Sequence, residues 1–190
     1  MKTSRLEAFS DGVLAIIITI MVLALSAPLS TDLNALLDKT PVFISYVFSF
    51  IYVGIYWNNH HHLFQITQQV NGKILWANLH LLFWLSLIPF TTAWIGENYK
   101  AHLPVIAYGV VLLFCAIAYF ILQWVIIKSH DSEFPLRKVV GSDRKGKISI
   151  GLYTLGIGLS FLNTWLSIIC YAIVAIMWLI PDKQIEDNIS

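Results

Sequence analysis

Polar and ionisable side chains are concentrated at the start of the first apolar segment of this sequence. Arg5, Phe9, Ser10 and Asp11 precede a long aliphatic run in which Thr19 is the one polar residue. A carboxylate at membrane depth is costly unless it is paired or hydrated. Asp11 therefore predicts one of two features: a cap or interhelical hydrogen bond near the membrane surface, or a direct ion or proton site.

A second polar group lies near the start of the third apolar segment, where Asn78 and His80 interrupt hydrophobic residues. A neutral imidazole bonded to another helix is the expected state of His80, with Ser10, Asp11 or Arg5 as partner. Since histidine titrates near neutral pH, proton sensing is the alternative.

Three adjacent histidines, at positions 60–62, end the second apolar segment. Adjacent positions of one helix do not face one another, so we expect interface or network roles and no metal site. We also expect no catalytic residues, because the sequence has no two-histidine zinc motif, no Ser/Lys dyad and no paired deep carboxylates.

The composition indicates that these residues are held in an integral membrane protein. Of the 190 residues, 57% are hydrophobic and 12% are charged, whereas soluble domains carry roughly 25% charged residues. One helical crossing takes about 20 apolar residues, which allows about six or seven crossings and leaves no room for a separate soluble catalytic domain. The net charge of +1 gives no indication of nucleic-acid binding.

The apolar runs predict an all-α protein with a single six-helix transmembrane domain over residues 1–190. The last run is too long for one crossing, and Asn163-Thr164 at its centre offers a turn. The resulting spans are 6–27, 41–62, 74–95, 103–127, 148–162 and 165–180. The last two are shorter than usual.

The distribution of positive charge predicts the topology. With six spans, ten of the twelve Lys and Arg residues fall on the side of the N-terminus, and Lys39 and Lys100 fall on the other side. Cytoplasmic segments are enriched in these residues, so we expect a multi-pass protein of the cell membrane with both termini in the cytoplasm. The basic loop 128–147 is expected to be solvated or to contact anionic membrane lipids.

The head of the first span resembles a known family. Arg5-x-x-x-Phe9-Ser10-Asp11-Gly12, followed by aliphatic residues, is similar to the signature of the transmembrane protein 175 potassium-channel family. The resemblance extends over the whole chain, including Asn78-Leu79-His80 in the third span and Pro181-Asp182 after the sixth.

The resemblance implies a homotetrameric channel whose first helices line a pore for K⁺ and other monovalent cations. No cofactor is implied beyond the permeant ions. Ile16, Ile20 and Leu23 would form an apolar constriction, Thr19 would lie at its edge, and Arg5, Phe9, Ser10 and Asp11 would form a helix-one network. Four isoleucines can dewet a narrow pore, and threonine hydroxyls can replace part of an ion's water shell.

Two other interpretations remain for these residues. The face of Ile16 and Ile20 could simply pack or contact lipid, as one face of every membrane helix does. Alternatively, Asp11 and His80 could serve a proton-permeable pathway or a secondary cation transporter. The aliphatic middle of the first span is unlike transporter sites, which have broken helices and polar groups at the midplane.

The charge bias makes a direct prediction. Single cysteines introduced at positions 100 and 183 should be labelled from opposite faces of the membrane by an impermeant maleimide, with position 183 reached from the cytoplasm. Labelling of both positions from one face would contradict the six-span topology.

Overall fold

The computed structural model describes residues 3–67, 69–130, 134 and 144–179, and the described chain is helical throughout its regular structure. The predicted all-α membrane fold is confirmed. The helices are α1 (Thr3–Leu23), α2 (Leu33–Leu37), α3 (Thr40–Gln65), α4 (Gly72–Ser86), α5 (Ile88–Asn98), α6 (His102–Lys128), α7 (Arg144–Leu159) and α8 (Thr164–Leu179). By length and apolarity, the ranges 3–23, 33–65, 72–98 and 102–128 could each cross a membrane, and α8 is shorter.

The third predicted span is two helices in the structure. α4 ends at Ser86, and α5 begins at Ile88 with Pro89 in its first turn. Proline lacks the N–H that would continue the helical ladder, so the helix breaks just before it. The Thr91 hydroxyl lies 3.3 Å from the Leu87 carbonyl and 3.2 Å from that of Ile88, so it satisfies backbone oxygens at the break.

The last apolar run turns at Asn163, where the sequence predicts a turn. The Asn163 side-chain oxygen accepts a 2.9 Å hydrogen bond from the backbone N–H of Trp165 in the first turn of α8. This bond satisfies one of the free N–H groups that every helix start presents. α7 and α8 then pack against each other and against α6.

Hydrogen bonds between loops and helix ends show which residues share an end of the bundle. The side chain of Asn71 donates to the Ser129 hydroxyl at 2.9 Å, so the start of α4 and the end of α6 lie together. At the other end, His102 bonds the Ser160 carbonyl, and Tyr99 packs edge-on against Trp165. Lys73, Lys128 and the start of α7 therefore lie at one end of the bundle, and Lys100 lies at the other.

The Tyr171 side chain of α8 packs closely against glycines of both α6 and α7. Its ring fills the space above Gly109 of α6 and Gly156 of α7, where an added Cβ would overlap it. The sequence also predicts packing at Gly151, Gly158 and Thr154, but a Cβ at Gly151 or Gly158 would meet nothing within 4 Å and Thr154 is exposed. Within α7, tight packing is thus centred on Gly156.

Gly156→Ala should lower the free energy of unfolding by about 1–3 kcal/mol, because its Cβ would lie 2.6 Å from the Tyr171 ring and overpacking has costs of that order. Gly158→Ala is the matched control on the same helix and should be neutral or slightly stabilising. Thermal unfolding in detergent measures both, and equal melting temperatures for the two variants would contradict this packing.

Candidate pore helix

One face of α1 is buried against the other helices of the chain. Leu6, Ser10, Leu14, Ile17 and Met21 recur at helical spacing and are all buried. They face α3, α4 and α5, which are the helices that contact α1. Ile17 is only 3% exposed, so this face belongs to the hydrophobic core of the chain.

The opposite face of α1 is uncovered along its whole length. Its exposed residues, which we call the open seam, are Arg5, Phe9, Gly12, Ile16, Thr19 and Leu23. Their spacing of four, three, four, three and four residues is the repeat by which helices associate in coiled coils. Ile16 is 59% exposed, Leu23 is 77% exposed, and Ile20 lies beside them at 49%. The face that the sequence predicts to line a pore is therefore not covered by the rest of the described chain.

Thr19 presents an oxygen on this apolar face. Its hydroxyl donates to the Ala15 carbonyl at 2.9 Å. Because a hydroxyl oxygen has two lone pairs, this bond leaves both for an acceptor role. Thr19 is thus chemically able to accept from water or to coordinate a cation.

Three buried polar residues fasten α1 to its neighbours. Asn78 of α4 donates through Nδ2 to the Ser10 hydroxyl at 3.0 Å, and its Oδ1 lies 2.8 Å from Nε2 of His60 on α3. Ser10 completes the chain by donating to the Leu6 carbonyl at 2.9 Å. Since Asn78 Oδ1 can only accept, His60 carries a proton on Nε2. We call Ser10, Asn78 and His60 the polar clasp.

Asp11 makes a separate connection at the edge of this face. Its Oδ1 accepts a 3.1 Å hydrogen bond from Nε1 of Trp57 on α3, and the Trp57 ring stacks on His61. Arg5 is exposed and forms no bond or ion pair with another residue of the described ranges. Asp11 thus ties α1 to α3, whereas the guanidinium of Arg5 bonds none of the other residues that the structure describes.

His80 differs from the expectation that it would partner α1. Its Nε2 accepts from Nε1 of Trp84, one turn along the same helix, at 3.0 Å. His80 is exposed, whereas Asn78 is fully buried, because positions two apart on a helix point in different directions. The buried histidine partner of Asn78 is His60 instead.

Comparisons with known proteins identify the family of this chain. Residues 5–89 match the family model described as the endosomal/lysosomal potassium channel TMEM175. A potassium channel of Chryseobacterium sp. (strain P1-3) is 56% identical over 190 residues, which are 100% of this chain and 99% of that protein. The chain belongs to the TMEM175 family. This assignment confirms the resemblance and makes the chain a multi-pass membrane protein of an ion-channel family rather than an enzyme.

More distant TMEM175 relatives extend the comparison. The crystal structure of a lysosomal potassium-selective channel TMEM175 homolog from Chamaesiphon minutus has a TM-score of 0.83 and 28% identity, covering 93% of this chain and 96% of that one. A protein of Gallus gallus named as an endosomal/lysosomal proton channel TMEM175 is 26% identical over 148 residues, which are 70% of this chain and 30% of that protein.

Trp57 has a role that the sequence analysis did not single out, whereas His60 takes the network role expected of positions 60–62, with a partner that the sequence did not identify. Both lie in the last part of α3, and Asp11 and Ser10 lie in the first part of α1. Because α1 and α3 are antiparallel neighbours, these two segments lie at the same depth in the membrane. Polar residues at equal depth on the two helices could therefore have indicated the contact from the sequence. The third histidine, His62, has a buried Nδ1 without a hydrogen bond partner, and no group of three metal-ligating side chains occurs among residues the structure describes.

Asn78→Leu should lower the free energy of unfolding by about 1–2 kcal/mol, because it removes the acceptor of the buried His60 Nε2 and the donor to the Ser10 hydroxyl, which keeps only its bond to the Leu6 carbonyl. Asn58→Leu is the control, since Asn58 is exposed on α3. Thermal unfolding in detergent measures the change. If Asn78→Leu unfolds at the same temperature as Asn58→Leu, the polar clasp contributes nothing to holding α1.

Proposed function

We propose that this chain is the subunit of a homotetrameric, potassium-selective cation channel whose pore is lined by α1 of each subunit. The observation that carries the proposal is the open seam: one face of α1 is locked into the subunit core while the opposite face, with coiled-coil spacing, has no cover. Four copies meeting along this seam would place Ile16, Thr19 and Leu23 around a common axis. The names of the bacterial relatives support potassium as the permeant ion.

A hydrophobic constriction follows from the side chains at the seam. Ile16 and Leu23 are seven residues apart, about 10 Å along the helix axis, and Ile20 lies between them. An ion that enters an apolar ring loses water contacts and gains none from the wall, so dehydration sets the barrier. The Thr19 hydroxyl is the one side-chain oxygen within this stretch, and we assign it a coordinating role.

The groove between α1 and the α4–α5 break offers a place for a neighbouring subunit. It is lined by Ile16, Ile20 and Pro89, together with Val13, Ile17, Ala24, Ser86, Phe90 and Ala93. An apolar groove beside the open seam would let an adjacent α1 pack close to the fourfold axis. The same subunits would contact membrane lipids on their outer faces.

The orientation follows from the charges at the two ends of the bundle. Lys73, Lys128 and the basic start of α7 share one end, which makes it the cytoplasmic end by the positive-inside rule. The N-terminus lies at this end because Asp11 bonds Trp57 in the last part of α3. We accordingly propose a cell-membrane channel with both termini in the cytoplasm. Residues 180–190, which include Lys183, lie outside the described ranges, as do Arg137 and Lys138 of the basic loop.

Ile16→Asn should raise conductance and lower the preference for K⁺ over Na⁺, because it widens the ring and supplies polar groups. Thr19→Val keeps the shape and removes the hydroxyl, so selectivity should fall without a gain in conductance. Reversal potentials under K⁺/Na⁺ gradients, recorded from purified channels in planar bilayers, measure both changes.

Val22→Asn is the control for the pore-facing assignment. Val22 is 45% exposed but lies about 120° around α1 from Ile16. Ile17 is unsuitable as a control because it is buried and its replacement would test folding. Equal effects of Ile16→Asn and Val22→Asn, or silence of both Ile16→Asn and Thr19→Val, would contradict the pore face.

A proton pathway is the second candidate, favoured by the printed names of the animal relatives, which are called proton channels. In this subunit Asp11 bonds Trp57 and His80 bonds Trp84, on two different helices. A pathway that uses both residues would shift the reversal potential with a pH gradient, and His80→Gln would abolish that shift. A reversal potential that follows K⁺ alone favours the potassium channel.

A further inference from the structure

An apolar groove lies between the starts of α3 and α8, at the end of the bundle that carries Lys100. Its lining is largely hydrophobic and aromatic and includes Ile44, Phe48, Ile95, Trp165, Ile168 and Tyr171. The cavity volume is about 210 Å³, whereas a cavity of about 150 Å³ already holds benzene. A hydrocarbon group of that size or somewhat larger therefore fits.

The groove is open on the surface of the subunit. Ile44 on the α3 side is 60% exposed and Trp165 on the α8 side is 55% exposed, whereas Ile95 and Tyr171 at its base are buried. No residue of α1 lines the groove, so it is separate from the open seam. Because an unfilled apolar space forfeits the dispersion contacts of its walls, hydrocarbon from the membrane should enter it.

The groove starts at the membrane surface and runs into one leaflet. Thr40 opens α3, and Phe48 lies eight residues further along the same wall, which is about 12 Å of helix axis. The hydrocarbon core of a bilayer is about 30 Å thick, so one leaflet is about 15 Å deep. The groove thus covers the depth of the upper part of a lipid acyl chain.

Three hydrogen-bond donors without partners stand at the mouth of the groove. The rings of Tyr99 and Trp165 pack edge-on with centres 5.6 Å apart, and the Lys100 ammonium lies 5.5 Å from the centre of the Tyr99 ring. Within the described part of the chain, the Tyr99 hydroxyl, the Trp165 indole N–H and the Lys100 ammonium bond no other residue. Tyrosine and tryptophan favour the headgroup level, and a phosphate accepts from all three donors.

The charges at this end favour a headgroup without net charge. The described segments here carry two lysines, Lys39 and Lys100, and three acidic residues, Asp32, Asp38 and Glu97. None of these acidic residues forms an ion pair with Lys100. A lipid with net negative charge would meet no excess of positive charge, whereas a zwitterionic lipid brings its own cation with the phosphate.

We propose that this groove binds one zwitterionic phospholipid, with the upper part of one acyl chain between α3 and α8 and the phosphate at Lys100, Tyr99 and Trp165. Lipid tails are as apolar as the groove, so the chain alone gains little on leaving the bilayer. The headgroup contacts must therefore supply the preference for this site. The inference depends on the membrane-protein assignment and not on the pore, so it can fail without affecting the proposed channel.

The test is native mass spectrometry of the purified full-length protein in detergent, titrated with dioleoylphosphatidylethanolamine or with dioleoylglycerol, which has the same acyl chains and no phosphate. We expect the first phospholipid on each chain to bind with a Kd at least fivefold lower than the diacylglycerol. Lys100→Gln should raise the Kd of the phospholipid at least threefold and leave that of the diacylglycerol unchanged. Lys73→Gln is the control, because Lys73 is an exposed lysine at the other end, and it should change neither.

A second pair of variants tests the groove itself. Ser45→Phe places a ring in the groove and should raise the Kd of the phospholipid at least fivefold. Thr154→Phe is the matched control on the exposed face of α7, since both hydroxyls donate to the carbonyl four residues earlier, at 2.9 Å for Ser45 and 2.8 Å for Thr154. If Ser45→Phe does not fold, Ile44→Trp on the exposed rim replaces it with the same expectation.

Four results would overturn the proposal. They are equal Kd values for phospholipid and diacylglycerol, tighter binding of dioleoylphosphatidylglycerol than of the zwitterionic lipid, unchanged binding in the groove variant, and unchanged binding in Lys100→Gln. A groove variant that keeps its lipid but changes the number of subunits in the complex would assign the groove to a contact between copies of the chain instead.

Discussion

The hydrogen bonds of Asn78 to Ser10 and His60 are the constraint on which the arrangement of the first helix depends. Water is absent from the bilayer interior, so a polar side chain there must find its partners within the protein. Ser10 can reach Asn78 only when its side of α1 faces α4. That requirement sets the rotation of α1 about its axis. Once Ser10 is buried, the seam from Arg5 to Leu23 must face away from the subunit.

The fold could largely be predicted because membrane-spanning segments are recognised in a sequence by their length and apolar composition. The break before Pro89 and the turn at Asn163 follow from local chemistry: one residue lacks an N–H and the other caps a helix start. The short helix α2 (Leu33–Leu37) was not predicted, because five residues carry too little periodicity to be recognised. The failed packing prediction at Gly158 has another cause, since a glycine makes space for a neighbour only if a side chain such as Tyr171 occupies it.

The sequence indicates which segments carry the polar residues of the site, but it does not indicate which of these residues contact one another. Asn78 and His80 stand two residues apart and look equally suited to pair with α1, yet one is buried and the other is exposed. The rotation of α4 about its axis cannot be read from its sequence, because it is decided by packing against α6 and α1. The contact of Trp57 and the partner of His60 were not predicted for the same reason: both depend on lying at the depth of Asp11 and Ser10 on an antiparallel neighbour.

A single helix therefore meets two opposite demands in this subunit. Its core face carries Ser10 among large apolar residues, and the clasp there resists rotation. Its outer face carries Ile16, Ile20 and Leu23, whose burial has to come from other molecules. In the proposed channel, an apolar pore wall would attract an ion only weakly, so selectivity would depend on a well-defined diameter as well as on the Thr19 hydroxyl. If α1 could rotate freely, the diameter of that pore would vary, and the polar clasp behind the helix opposes such a rotation.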